Sequence, residues 1–127
     1  MADVTKLKRV NLRAVFAQIS EYCKAKTVAE LNGHEVRLAR MNGAFIWHTH
    51  TDEDELLMVV DGHLVVETRH GNYELEAGEL VVVPRGMEHR TVALGEVRLL
   101  MFEPATTCNT GNVVNHFTVL RPERSEG

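Results

Sequence analysis

From residue 32 to residue 95 the chain is punctuated, about every ten residues, by pairs that favour tight turns, and the apolar residues between them alternate with period two. The turn signals are Asn32-Gly33, Asn42-Gly43, Asp61-Gly62, Gly71-Asn72, Ala77-Gly78, Pro84-Arg85-Gly86 and Gly95. Segments this short leave little room for helices, whereas strands joined by hairpins fit between the turns. The pattern predicts an all-β sandwich or barrel with strands over 34–41, 45–50, 55–60, 63–69, 73–75, 80–83, 89–93, 97–102 and 114–120.

Outside this region the rhythm changes. Residues 1–9 are polar and basic and read as a loose arm. Leu12, Val15, Phe16 and Ile19 recur at helical spacing behind Asn11, a good N-cap, which predicts a short amphipathic helix over 11–24. Residues 121–127 are charged and read as frayed. A chain of 127 residues has room for one core, so a single domain is expected: a barrel over about 34–120 behind an arm and helix over 1–30. Lysines and arginines number 14 against 18 acids, a net charge of −4 with both signs interleaved. That balance carries no footprint for nucleic acid or an anionic membrane. No apolar run approaches the roughly 20 residues of a membrane span, and Met1 to Arg9 lead into no signal-peptide stretch, so a cytoplasmic protein is expected. In that compartment Cys23 and Cys108 are expected to be free thiols.

The chemistry gathers between Trp47 and Glu55. On a strand, alternation places Ile46, His48 and His50 on one face and Phe45, Trp47 and Thr49 on the other. Two imidazoles on neighbouring same-face positions can clasp one metal ion, and Asp52, Glu53, Asp54 and Glu55 follow as carboxylate donors. The strand opened by Glu55 is apolar on both faces, with Leu57 and Val59 on one and Leu56, Met58 and Val60 on the other. A carboxylate opening a strand buried on both sides needs a partner, and a metal is a natural one, which favours Glu55 over Glu53. Further on, Pro84 ends a buried strand, Gly86 permits a positive φ, and His89 opens the next strand with Thr91 and Ala93 on its face.

These elements together resemble the cupin superfamily. Its first motif orders a glycine, a His-x-His pair, a glutamate and a second glycine, and Gly43, His48, His50, Glu55 and Gly62 stand in that order here. Its second motif orders a glycine, Pro-x-Gly, a histidine and an asparagine; Gly78, Pro84, Gly86 and His89 match its spacing, and Ala93 replaces the asparagine. The resemblance implies a double-stranded β-helix, the cupin or jelly-roll barrel, with His48, His50, Glu55 and His89 holding one divalent transition metal ion: Zn, Fe, Mn, Ni or Co. The residues from Glu30 to Gly43 and from Cys108 to Asn112 are similar to small bacterial single-domain cupins, a group often compared with phosphomannose isomerase.

Such a shell leaves coordination positions open, as catalysis or ligand binding requires. One expectation is therefore an enzyme acting on a small polar organic molecule, isomerase-like or dioxygenase-like. Glu55 is then a candidate base when released from the metal, and Arg85 a candidate for pairing with an anionic group at the mouth. The alternatives are a non-catalytic metal-dependent binding or sensing module and a homodimeric scaffold. The sensing module gains from an apolar lumen wall of Ile46, Leu57, Val59, Leu64 and Val66. A homodimer is expected, with Phe45 and Trp47 on an outer surface covered by the helix or by a second subunit. Parity turns His63 away from the metal, and His34, His70 and His116 read as outlying histidines.

Overall fold

The computed structural model describes residues 7–119 and 121–125. One helix, α1 (Leu12–Gln18), is followed by β1 (Lys26–Leu31), β2 (His34–Ala44), β3 (Glu55–Asp61), β4 (His63–Thr68), β5 (Gly71–Glu76), β6 (Leu80–Val83), β7 (His89–Pro104) and β8 (Glu123–Arg124). All the strands join one sheet that rolls into a jelly-roll barrel.

The roll turns on β7. Most of its length pairs with β2, from His34 opposite Pro104 to Ala44 opposite Val92. On its other edge β4 pairs with the first part of β7 and β3 with the last part. Gly95, at φ 85°, sits in a bulge between these parts, where the register against β2 shifts. What the sequence suggests as two strands over 89–93 and 97–102 is therefore one bent strand. Gly62, at φ 103°, joins β3 to β4 directly over this bend, and a Cβ there would stand 2.6 Å from the Glu96 carbonyl oxygen. Only glycine fits so close to a neighbouring backbone.

Alternation along the strands fills the barrel. Ala39, Met41, Leu57, Val59, Leu64, Val66, Leu75, Val97 and Leu99 form the interior. A second layer lies outside, where Val15, Phe16 and Ile19 of α1 pack on Val28 and Leu38. Asn11 caps α1 as expected, its side chain accepting from the Ala14 amide at 3.0 Å. The helix stops at Gln18, short of the expected 24, because Ile19 turns extended and Arg40 from β2 bonds its carbonyl oxygen at 2.7 Å. The chain then enters β1, which the sequence reading placed in the arm. Asn32 and Gly33, both at positive φ, make the two-residue turn that joins β1 to β2.

Three further expectations are corrected. Residues 45–50 form no continuous strand, only a single bridge between His48 and His89. Residues 113–119 are turns and irregular chain held by side-chain bonds from Asn109, Thr110, Asn115 and Thr118, and Leu120 lies outside the described residues. The tail read as frayed instead contributes β8, parallel to β1. No helix among the described residues is long and apolar enough to cross a membrane.

Candidate metal centre

His48 and His89 arrive from opposite ends of the two motifs and are joined through their backbones, each amide bonding the other's carbonyl oxygen at 3.0 Å. The Pro84–Met87 turn is held to the same place, with the Gly86 amide donating to the His50 carbonyl at 2.8 Å. Glu55 enters as the first residue of β3, opposite Val83 at the end of β6. Separate local features thus deliver four side chains to one end of the barrel interior.

His48, His50, Glu55 and His89 are all buried, and one ligand atom from each lies within 4.8 Å of the others. The Nδ1 atoms of His48 and His89 face the carbonyl oxygens of Ile46 at 2.8 Å and Met87 at 3.0 Å. A proton on each Nδ1 satisfies those carbonyls and leaves Nε2 a free lone pair. Glu55 lies between the rings, 3.4 Å from His89 Nε2 and 3.7 Å from His50 Nε2. Among the described residues, neither ring nitrogen of His50 has a hydrogen-bond partner. A buried imidazole left unpaired is costly, and three rings converging on a carboxylate are the donor set a divalent transition metal takes. The residues present fit such an ion.

The electrostatics point the same way. Burial draws His48 down to about 4 and lowers His50, so both rings are neutral, as ligands must be. Burial opposes ionisation of Glu55, but hydrogen bonding to His89 and Glu103 outweighs it and brings the carboxyl down to about 2. For His89, burial is likewise outweighed, chiefly by Glu55, and the ring's affinity for a proton rises.

A cavity of about 50 Å³ opens beside the cluster, lined by His48, Glu55, His89, Phe45, Arg37 and Glu103 among others. The last two are polar residues that sequence reasoning missed. Arg37 uses every N–H it has, on Glu35, on Glu103 and on the carbonyls of Ala105 and Thr107. Glu103 accepts from Arg37 at 3.3 Å through Oε1, while Oε2 is buried and finds no donor among the described residues. Burial, and then the adjacent Glu55 charge, push the Glu103 carboxyl well above the usual carboxylate range. The period-two alternation of Val97, Leu99, Met101 and Glu103 carries the signal that would have found it.

The remaining expectations divide. Leu57, Val59, Leu64 and Val66 line the interior as read, Ile46 is half-buried at its margin, and His63 faces away toward Glu74. Phe45 is corrected: it faces inward, edge-on to His48, because the 45–50 segment lacks strand geometry and parity fails there. Trp47 does face outward, where it is half-buried with Arg69 stacked on its ring at 3.7 Å. Arg85 is exposed and tied to Asp54 through its backbone amide and its guanidinium, rather than turned toward the cluster. The segment after β7 closes over the same end: Asn112 and Thr49 bond reciprocally at 2.9 and 3.0 Å, and Phe117 packs on Phe45.

Comparison with known proteins agrees with this architecture. Residues 31–103 match the model of a family described as the cupin domain. The uncharacterized protein YdbB of Bacillus subtilis (strain 168) is 35% identical over 85 residues, covering 66% of this chain and 75% of that protein. A crystal structure of a cupin-2 domain containing protein from Shewanella frigidimarina superposes with a TM-score of 0.73 at 34% identity, over 75% of this chain and 93% of that one. A Neisseria meningitidis protein superposes with a TM-score of 0.70 at 28% identity, over 76% and 99%.

Proposed function

Since the chain belongs to the cupin domain family, we propose that it is a metal-dependent enzyme acting on a small organic molecule, with His48, His50, Glu55 and His89 as ligands to one divalent transition metal ion. The observation that carries this reading is the convergence of four buried donors, one of them a histidine with both nitrogens unpartnered. Zn, Fe, Mn, Ni and Co all suit three imidazoles and a carboxylate. When bound, the ion supplies Lewis acidity toward a carbonyl or hydroxyl oxygen, or redox chemistry if it is iron.

The chain's own residues narrow the substrate. Ala39, Met41, Phe45, Leu57, Leu99 and Met101 give the cavity an apolar wall. Arg37 has no donor to spare for an anion, and Arg85 is held outside by Asp54. The lumen therefore suits a compact, uncharged molecule that offers one oxygen to the metal, a narrower class than the small polar organic molecule expected from sequence. Glu103, its carboxyl raised above the usual carboxylate range, is the group placed to hold a proton beside it. The apolar wall also favours a second reading, a metal-dependent binding module without turnover. A homodimer belongs to the proposal as well: among the described residues β6 pairs only with β3, and its Leu80 and Val82 are exposed. So does a cytoplasmic setting, which the two free cysteines suit.

Elemental analysis of protein purified without added metal tests the centre. About one equivalent of a single transition metal per chain is expected, removable by chelator and restored on addition. Protein that neither carries nor takes up such an ion would overturn the reading. Neutral hydroxy- and carbonyl-bearing compounds that shift the metal's spectrum, with or without turnover, separate enzyme from binding module.

A further inference from the structure

His48 and His50 sit on a segment without strand geometry, so its backbone groups must find their partners outside a regular ladder. The second motif holds the two histidines: His48 exchanges both backbone bonds with His89, and the His50 carbonyl accepts from the Gly86 amide at 2.8 Å. Thr49, between them, is held by a different part of the chain. Its amide donates to the Asn112 side-chain oxygen at 2.9 Å, and its carbonyl accepts from the Asn112 amide at 3.0 Å. Asn112 thus answers Thr49 as a residue on a neighbouring strand would, its side-chain oxygen standing in for a strand carbonyl. Gly111 comes as close. Its φ is 55°, and a Cβ there would collide with the Thr49 carbonyl oxygen and stand 3.2 Å from Cδ2 of the His48 ring. Both residues lie beyond the stretch that matches the cupin family, residues 31–103.

We propose that Gly111 and Asn112 are positioning residues for the His48 and His50 pair, clamping Thr49 between the two imidazoles and supplying no ligand of their own. The inference rests on the metal reading above. The Thr49 amide belongs to the peptide plane that leads from His48, and its carbonyl to the plane that leads on to His50. Pinning both planes fixes the direction in which each side chain leaves the backbone, and with it the span between two rings that must meet one ion. In a regular strand the pleat would set that span; here the clamp does. Ligands left free to turn lose orientational freedom on coordination, and ligands already held do not. The clamp is itself anchored. Thr110, next to Gly111, is buried and its hydroxyl lies 2.8 Å from that of Thr118, while Asn109 donates to the Phe117 carbonyl at 2.7 Å and accepts from the Val119 amide at 2.8 Å.

Four substitutions separate a clamp on Thr49 from general docking of the segment after β7. Asn112→Leu removes the acceptor at an exposed position, Asn112→Asp keeps it, and Gly111→Ala drives a Cβ into the Thr49 carbonyl. Thr106→Val removes a neighbouring tie of the same segment, a 2.9 Å bond to Glu53, and leaves Thr49 alone. Binding of Zn²⁺ and Co²⁺ to chelator-stripped protein is measured by competition with a chromophoric chelator, and the visible spectrum of the Co²⁺ form reports the coordination geometry. Asn112→Leu and Gly111→Ala should each bind roughly 10-fold more weakly, with an altered spectrum, whereas Asn112→Asp and Thr106→Val should match wild type in both. Unchanged affinity in Asn112→Leu or in Gly111→Ala would overturn the proposal. So would an equal loss in Thr106→Val, which would make the role one of docking, or in Asn112→Asp, which would show that the acceptor is not what matters. Wild-type protein that binds neither ion overturns the metal reading itself, and this inference with it. Metal-free Asn112→Leu should melt close to wild type. If it fails to fold, Asn112 is structural and the proposal falls; if only Gly111→Ala fails to fold, Asn112→Leu decides.

Discussion

His48 and His89 exchange both backbone hydrogen bonds at 3.0 Å across an isolated bridge, and their rings lie 4.4 Å apart, centre to centre. The bridge locks the two motifs together without using either imidazole. Replacing His48 or His89 with Ala should therefore keep the fold, seen as an unchanged far-ultraviolet spectrum, while metal stoichiometry falls from near one to near zero. A variant that keeps its full complement of metal would remove that histidine from the ligand set.

Acidification should cost the metal-free protein the contribution of His48. Burial draws this ring from 6.5 down to about 4 and lowers His50 as well, so both refuse protons that the unfolded chain accepts. Their contribution is present above pH 6.5 and lost as pH falls toward the folded values. His89 and Glu103 act in the opposite sense: their raised folded values add stability at low pH that fades as pH rises through them. The loss at His48 alone is on the order of 3 kcal/mol. Between about pH 7 and pH 4.5 the urea midpoint of chelator-treated wild type should therefore fall relative to that of His48→Gln.

Gly62 has no room for a side chain. A Cβ would meet the Glu96 carbonyl oxygen at 2.6 Å, at a φ of 103° that other residues rarely adopt. Gly62→Ala should cost about 3 kcal/mol in a urea titration. Gly78→Ala, at a positive φ but with open space around it, should cost less.

Arg85 offers the converse test. Its guanidinium is exposed and paired with Asp54, away from the cavity. Arg85→Ala should leave metal stoichiometry and affinity unchanged by elemental analysis and chelator competition. A substantial loss of affinity would show that the Pro84–Met87 turn depends on that ion pair to hold His50.

Much of the site is legible in the sequence because motif spacing and turn chemistry are local. Pro84 and Gly86 stand in a single turn that leads into His89, and the Gly86 amide finds the His50 carbonyl directly. Parity worked wherever a strand is regular: Glu55, Leu57 and Val59 face inward together, as do Leu64 and Val66. It failed at Phe45, where β2 ends at Ala44 and the chain no longer alternates.

The sequence alone therefore determined the elements whose cause lies within a few residues: the capped start of α1, the run of hairpins, and the two motifs whose His48, His50, Glu55 and His89 converge. Tertiary structure decided what depends on contacts distant along the chain. Arg40 bonding the Ile19 carbonyl ended the helix early, and β2 offered an edge that turned residues 26–31 into a strand. The bend in β7 let one strand serve two partners, and it brought Glu103 beside Glu55, 48 positions earlier in the chain. Turn and cap preferences act through a residue's immediate neighbours. Helix length, edge pairing and buried polar partners depend on which distant groups the fold happens to bring within hydrogen-bonding reach.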